Sequence, residues 1–161
     1  MKIDINRIRQ KGYAAFYKKE ATSRNISIDQ DVIKKSLEND ELETRIHHTD
    51  ASLKFEWDNA KNFDESHELQ RQFHHKRIAT LIKEDKYKDT IIVSRIGEGE
   101  YRLIDGGHRL HASKFMDETE VDAIVLRRDI NAAEKKELLK KIECSMTIEV
   151  ALTEMGIDYE R

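Results

Sequence analysis

The run "IIVSRIGEGEYRLIDGGHRLHASKF", residues 91–115, constrains the fold of this chain more than any other stretch. Ile91 to Val93 is a short β-branched run that suits a strand, Gly97 and Gly99 supply a turn, and Tyr101 to Asp105 returns as its partner. Alternation places Arg102 and Ile104 on one face of the return strand and Tyr101, Leu103 and Asp105 on the other. Gly106 and Gly107 then divide it from Leu110, Ala112, Ser113, Phe115 and Met116, whose spacing predicts a helix. "VDAIVL" follows as another buried strand. A hairpin, a helix and a further strand in that order require a small mixed β-sheet with packed helices, so the fold class is α+β.

The flanking segments read mostly as helices. "INRIRQKGYAAFYKKE" spaces Ile5, Ile8, Ala15 and Phe16 along one face, with Gly12 as a weak point, and predicts a helix over about 5–20. "SIDQDVIKKSLENDEL" has Ser27 or Asp29 as its start signal and Val32, Ile33 and Leu37 at helical spacing. "ASLKFEW" alternates Leu53, Phe55 and Trp57, which suits a strand with one buried face. A helix from about Gln72 to Glu84 buries Phe73, Ile78, Leu81 and Ile82. Asn131 and Glu134 open the next helix as an N-cap and its reciprocal acid, ahead of Leu138, Leu139 and Ile142. "TIEVALTEM" is a last short helix stopped by Gly156. The expected organisation is a mainly helical N-terminal extension over 1–60, a core over 61–130 and C-terminal helices over 131–161.

Charge narrows the partners. The net charge is −3, so the protein as a whole is not a basic nucleic-acid binder. Residues 1–24 nevertheless carry seven basic and two acidic side chains, whereas residues 25–70 carry five basic and twelve acidic ones. The basic segment, with Tyr13, Phe16 and Tyr17 interleaved, suits contact with nucleic acid; it equally suits docking on the acidic stretch of its own chain or of a second subunit. Cys144 is the single cysteine, which excludes an internal disulfide and suits a small buried position on a C-terminal helix. Neither a membrane-spanning apolar run nor a signal-peptide core is present, so a soluble cytoplasmic protein without a membrane partner is expected. The paired histidines, His47-His48 and His74-His75, read as surface or helix-end residues rather than a transition-metal site.

The diglycine turn carries the chemistry. The first N–H groups of a helix have no partner within it, and the helix dipole favours an anion there. Glycine lets a phosphate approach the backbone and permits positive φ. Arg109 and His108, in the first turn, can add charge-assisted contacts, and Asp105 stands where it can meet a metal or accept a proton. A strand–helix turn that needs glycine only for tight packing would have the same sequence.

From about Leu69 to Arg128 the chain resembles the ParB/sulfiredoxin-like fold family: a helix such as "RIATLIKED", the strand pair "IIVSRIGEGEYRLIDG", then "DGGHRLHASKFM" and "VDAIVL". The resemblance implies a nucleotide-binding protein that takes ATP, ADP or CTP with Mg²⁺ and hydrolyses it or transfers a phosphoryl group; nuclease activity is also attributed to the group. It implies Gly106, Gly107, His108 and Arg109 as phosphate-binding residues. Arg71 joins them from the place where ParB proteins carry an arginine. Asp105 and His108 become the catalytic pair, with Asp105 on the metal. Gly107 stands where sulfiredoxins have their cysteine and ParB-type CTPases an acid, so "DGGHR" comes closest to the forms of free serine kinases and mobile-element proteins. Only five residues follow Gly156, so no recognition helix of a ParB helix-turn-helix is expected. The alternative is a non-catalytic phage- or plasmid-type regulator that binds DNA or protein through the same fold.

Overall fold

A computed structural model describes residues 1–46 and 50–161. The chain divides into two compact units, one formed by Met1–Gln10 with Lys88–Arg161 and the other by Lys11–Tyr87.

The first unit is built on a mixed sheet. Its strands are β1 (Lys2–Asp4), β2 (Ile8–Arg9), β5 (Ile91–Gly97), β6 (Glu100–Asp105), β7 (Glu120–Leu126) and β8 (Tyr159–Glu160), and its helices are α4 (Gly107–Phe115), α5 (Ala132–Glu143) and α6 (Ile148–Glu154). The order across the sheet is β1-β7-β5-β6-β2, with β8 also on β7. β5 and β6 are the expected antiparallel hairpin, and α4 carries the chain from β6 to β7, parallel to β5. Period-two alternation divides the core in two. Ile91, Val93, Tyr101 and Leu103 pack on one face with Leu110 of α4; Ile92, Ile104, Ile124 and Leu126 pack on the other with Leu138, Ala151 and Leu152 of α5 and α6. Asn131 and Glu134 close the expected capping box, and Gly156 stops α6 at φ 69°.

The helix expected over 5–20 does not form. Asp4 caps a single 3-10 turn at Ile5–Arg7, and β1 and β2 on either side join opposite edges of the sheet. Ile3, Ile5 and Ile8 enter the same core as Leu110. Beyond Gly12 the chain turns into strand β3 (Tyr13–Tyr17), which pairs antiparallel with β4 (Thr22–Ile26). Ala15 is buried and Phe16 is 55% exposed, as a period of two demands and a helical face would not.

The second unit sets this hairpin against three helices, α1 (Gln30–Glu38), α2 (Ala51–Asp58) and α3 (Phe63–Lys83). Residues 51–57, expected as a strand, are helical: Asp50 caps the backbone N–H of Ser52, and Leu53 and Trp57 are buried four residues apart while Phe55 between them is 68% exposed. Leu53, Trp57 and Phe73 form one small core; Tyr17, Ala60 and Phe63 form another, with Leu69 touching both. α3 starts nine residues before the expected Gln72, capped by Asn62 with Asp64 and Glu65 in its first turn. Its inner face is partly polar. The buried Gln70 amide donates to the Phe16 carbonyl (3.1 Å) and accepts from the Phe16 N–H (3.3 Å), so a helix side chain completes the edge of β3. Among the described residues no helix is long and apolar enough to cross a membrane.

Candidate functional site

The turn from Asp105 to Arg109 lies in the first unit, where β6 ends and α4 begins. Gly106 is the N-cap of α4 at φ 110°, ψ 30°, and no side chain caps the helix there. A Cβ at this position would lie 2.5 Å from Ile91 Cγ2 and 2.9 Å from Ile91 Cβ. Both the backbone angle and the packing against β5 therefore require glycine. The Gly106 carbonyl accepts the first helical bond, from the Leu110 N–H at 2.9 Å, and Leu110 anchors α4 in the core. The leading amides of α4 are thus presented by a fixed turn and lack a side-chain acceptor at the cap.

Arg109 points back from the first turn. Its Nη1 donates to the Thr90 carbonyl at 2.7 Å, and its Nη2 meets Asp105 Oδ2 at 3.3 Å. The two charged side chains are about one quarter exposed (25% and 29%), so this pair is screened less than a surface one. Arg109 therefore joins three places: the start of β5, the end of β6 and the first turn of α4. Thr90 is held in turn, its hydroxyl donating to Asp122 Oδ2 of β7 at 2.7 Å. That hydrogen bond, followed by one from the N-terminal amine, holds the Asp122 carboxyl below the usual carboxylate range. Thr90 and Asp122 were not singled out from the sequence; "DTIIV" offers only a polar residue before a strand.

Five of the residues singled out thus sit on one turn: Asp105, Gly106, Gly107, His108 and Arg109. His108 is half-buried in the first turn of α4. Asp105 is engaged by Arg109, and among the described residues no three His, Cys, Asp or Glu side chains gather as a metal-binding group. Arg71 belongs to the second unit, mid-way along α3, where Glu68 holds its guanidinium through two contacts at 3.0 and 3.1 Å. His74 and His75 are buried within α3, the first stacked on Tyr13 at 4.0 Å between centroids. They are not the surface or helix-end residues expected; His47 and His48 lie outside the described residues. Glu100 is paired with Arg9 at 3.1 Å. Cys144, expected to be buried, is exposed at the end of α5.

The basic N-terminal segment is also resolved into contacts. Arg9 bonds Glu100 within the first unit, and Arg24 pairs with Asp64 at 3.0 Å within the second while lying 4.7 Å from the Phe63 ring centroid. Tyr17 is buried and donates its hydroxyl to the Ala60 carbonyl at 2.6 Å.

Comparison with family models, with curated proteins and with solved structures finds no match.

Proposed function

We propose that the turn at Asp105–Arg109 binds the phosphate of a nucleotide. One observation carries the reading: α4 opens on two glycines, the first locked at positive φ and neither contributing a side-chain cap, which leaves the helix dipole and its first amides to an anion. His108 adds a donor in the same turn, and the Arg109 guanidinium, fixed by Asp105 and Thr90, adds positive charge beside it. Mg²⁺ would arrive on the phosphates, neutralising their charge, since the turn supplies one carboxylate and the ion needs few protein ligands when phosphate is present. Asp105 is that carboxylate. In the ATP-, ADP- or CTP-using reading it would meet the nucleotide-borne ion or accept a proton from the attacking group, water for hydrolysis or an acceptor hydroxyl for phosphoryl transfer.

The Asp105–Arg109 ion pair favours a second reading, a non-catalytic regulator of the kind that binds nucleotide, DNA or a protein partner through this fold. A carboxylate already neutralised by an arginine has less to offer a metal or a proton. A thermal-shift and calorimetric panel of ATP, ADP, CTP and GTP, with and without Mg²⁺, tests binding. Failure of all four to bind would leave the diglycine turn a packing device. If one binds, turnover of the labelled nucleotide divides the readings: Asp105→Asn should abolish it in an enzyme, and no turnover should be present to lose in a regulator.

A further inference from the structure

The second unit contains a titratable anchor. His75 is fully buried on α3 (0% exposed) and bridges two backbones. Its Nδ1 lies 2.7 Å from the Arg71 carbonyl, one turn back, and its Nε2 lies 2.9 Å from the backbone N–H of Asp29. A carbonyl can only accept and an N–H can only donate. The ring must therefore be neutral, with its proton on Nδ1 and its lone pair on Nε2. Asp29 is the N-cap of α1 and its carboxylate holds the Asp31 N–H at 2.8 Å, so this single imidazole fixes the head of α1 to α3.

The far end of the same segment is held differently. Thr80, also fully buried on α3, accepts from the Glu43 N–H at 2.7 Å and donates to the Lys76 carbonyl at 2.7 Å. Arg77 reaches the Glu43 carbonyl at 3.2 Å. Between the anchors, Ile33 (1% exposed) and Ser36 (4% exposed) are the buried residues of α1. Of the two buried side chains of α3 that hold the ends, one carries a titratable imidazole and the other a hydroxyl that does not titrate.

We propose that residues 29–43 form a strap across α3 whose α1 end is released by acid. Protonation of Nε2 replaces an acceptor with a donor facing the Asp29 N–H, so the bond is lost and two N–H groups confront each other in a buried place. The charged groups around the ring are Arg71 and Glu68 on α3 and Asp29 at the head of α1. Burial, the largest influence, pushes the imidazole below its ordinary value; Arg71 pushes the same way, while the Arg71 carbonyl, Asp29 and Glu68 oppose it. A released ring takes up a proton more readily than the seated one. The seated state therefore has its full advantage above about pH 6.5 and loses it as pH falls from there toward the lower value of the buried ring. Thr80 keeps the other end attached, so the opening is local, a peeling of α1 that uncovers the α3 surface under Ile33.

Hydrogen exchange of the full chain between pH 7.5 and 5.5, corrected for the intrinsic exchange rate, reads this directly. Protection of the α1 amides should fall by up to about tenfold per pH unit below about 6.5, the limit for one linked proton, while the β5 amides hold. His75→Gln, which keeps an acceptor at the reach of Nε2 and does not titrate, should show α1 protection independent of pH. A flat profile in the unaltered protein overturns the proposal, whether or not the variant folds. A variant that retains the same fall overturns it too.

Discussion

Replacing Gly106 by alanine tests how the turn is held. The N-cap angles of φ 110°, ψ 30° lie outside the conformations that L-residues adopt easily, which costs on the order of 1–3 kcal/mol by itself. The new methyl would also lie 2.5 Å from Ile91 Cγ2 and 2.9 Å from Ile91 Cβ. The second of these atoms is fixed to the β5 backbone, so the conflict cannot be relieved by swinging a side-chain end away. Overpacking of this kind adds about 1–3 kcal/mol. The sum, about 2–6 kcal/mol, is a large fraction of the stability of a domain this size. Urea unfolding followed by circular dichroism gives the measurement, and the midpoint should fall with little change in slope. Ile91→Ala should cost less in the Gly106→Ala background than in the parent, because one substitution creates the Cγ2 contact that the other removes and the two cannot be additive. A Gly106→Ala protein within 0.5 kcal/mol of the parent would mean that the turn readily takes another path, and the fixed presentation of the α4 amides would fall with it.

Arg109→Ala should lower stability by about 1–3 kcal/mol even without ligand, since it strands the Thr90 carbonyl and unpairs Asp105; equal midpoints in thermal unfolding would show the clamp to be idle. Thr80→Val keeps the shape but removes the acceptor for Glu43, and should cost about 1–3 kcal/mol and raise exchange of the Glu43 amide at every pH; unchanged exchange would remove this anchor. Tyr17→Phe leaves the Ala60 carbonyl without its buried donor and should cost about 1–2 kcal/mol in chemical denaturation, an expectation that an unshifted midpoint would contradict.

What the sequence made legible follows from how local its signals were. The hairpin over 91–105, α4 after the diglycine, β7 and the capped α5 all announce themselves within about fifteen residues, and all stand in the structure. Failure came where two periods were both compatible with the letters. Leu53, Phe55 and Trp57 alternate as a strand would, yet Leu53 and Trp57 are also i and i+4 of a helix; the Asp50 cap on Ser52 was the local sign that decides between them. The start of α3 was hidden because its buried stripe there includes Ser66 and Gln70, polar residues buried through hydrogen bonds to the Trp57 carbonyl, nine residues back, and to the backbone of Phe16, far away in sequence. The fate of residues 1–10 was not legible for the same reason: β1 and β2 are two or three residues long and exist only through pairing with β7 and β6, some ninety or more positions away. At the site, the turn and its arginine could be read, but that the arginine would be held by Asp105 and the Thr90 carbonyl could not.

The question that the diglycine poses now divides between its two members. Gly106 is accounted for by positive φ and by Ile91, with no ligand required. Gly107 is different: it is the first residue of α4, where glycine still costs backbone entropy relative to alanine, by less than the roughly 1 kcal/mol of a helix interior. A residue that weakens a helix start needs another reason, and close approach of a phosphate to the first amides is one that the absent side chain serves directly. Gly107→Ala is therefore the discriminating substitution. It should leave stability unchanged or raise it by a few tenths of a kcal/mol, while a methyl group beside the anion seat weakens nucleotide binding by tenfold or more in titration calorimetry. Stability lost with no change in binding would make Gly107 a packing residue like its neighbour. Stability gained with binding untouched would move the nucleotide, if one binds, away from this turn altogether.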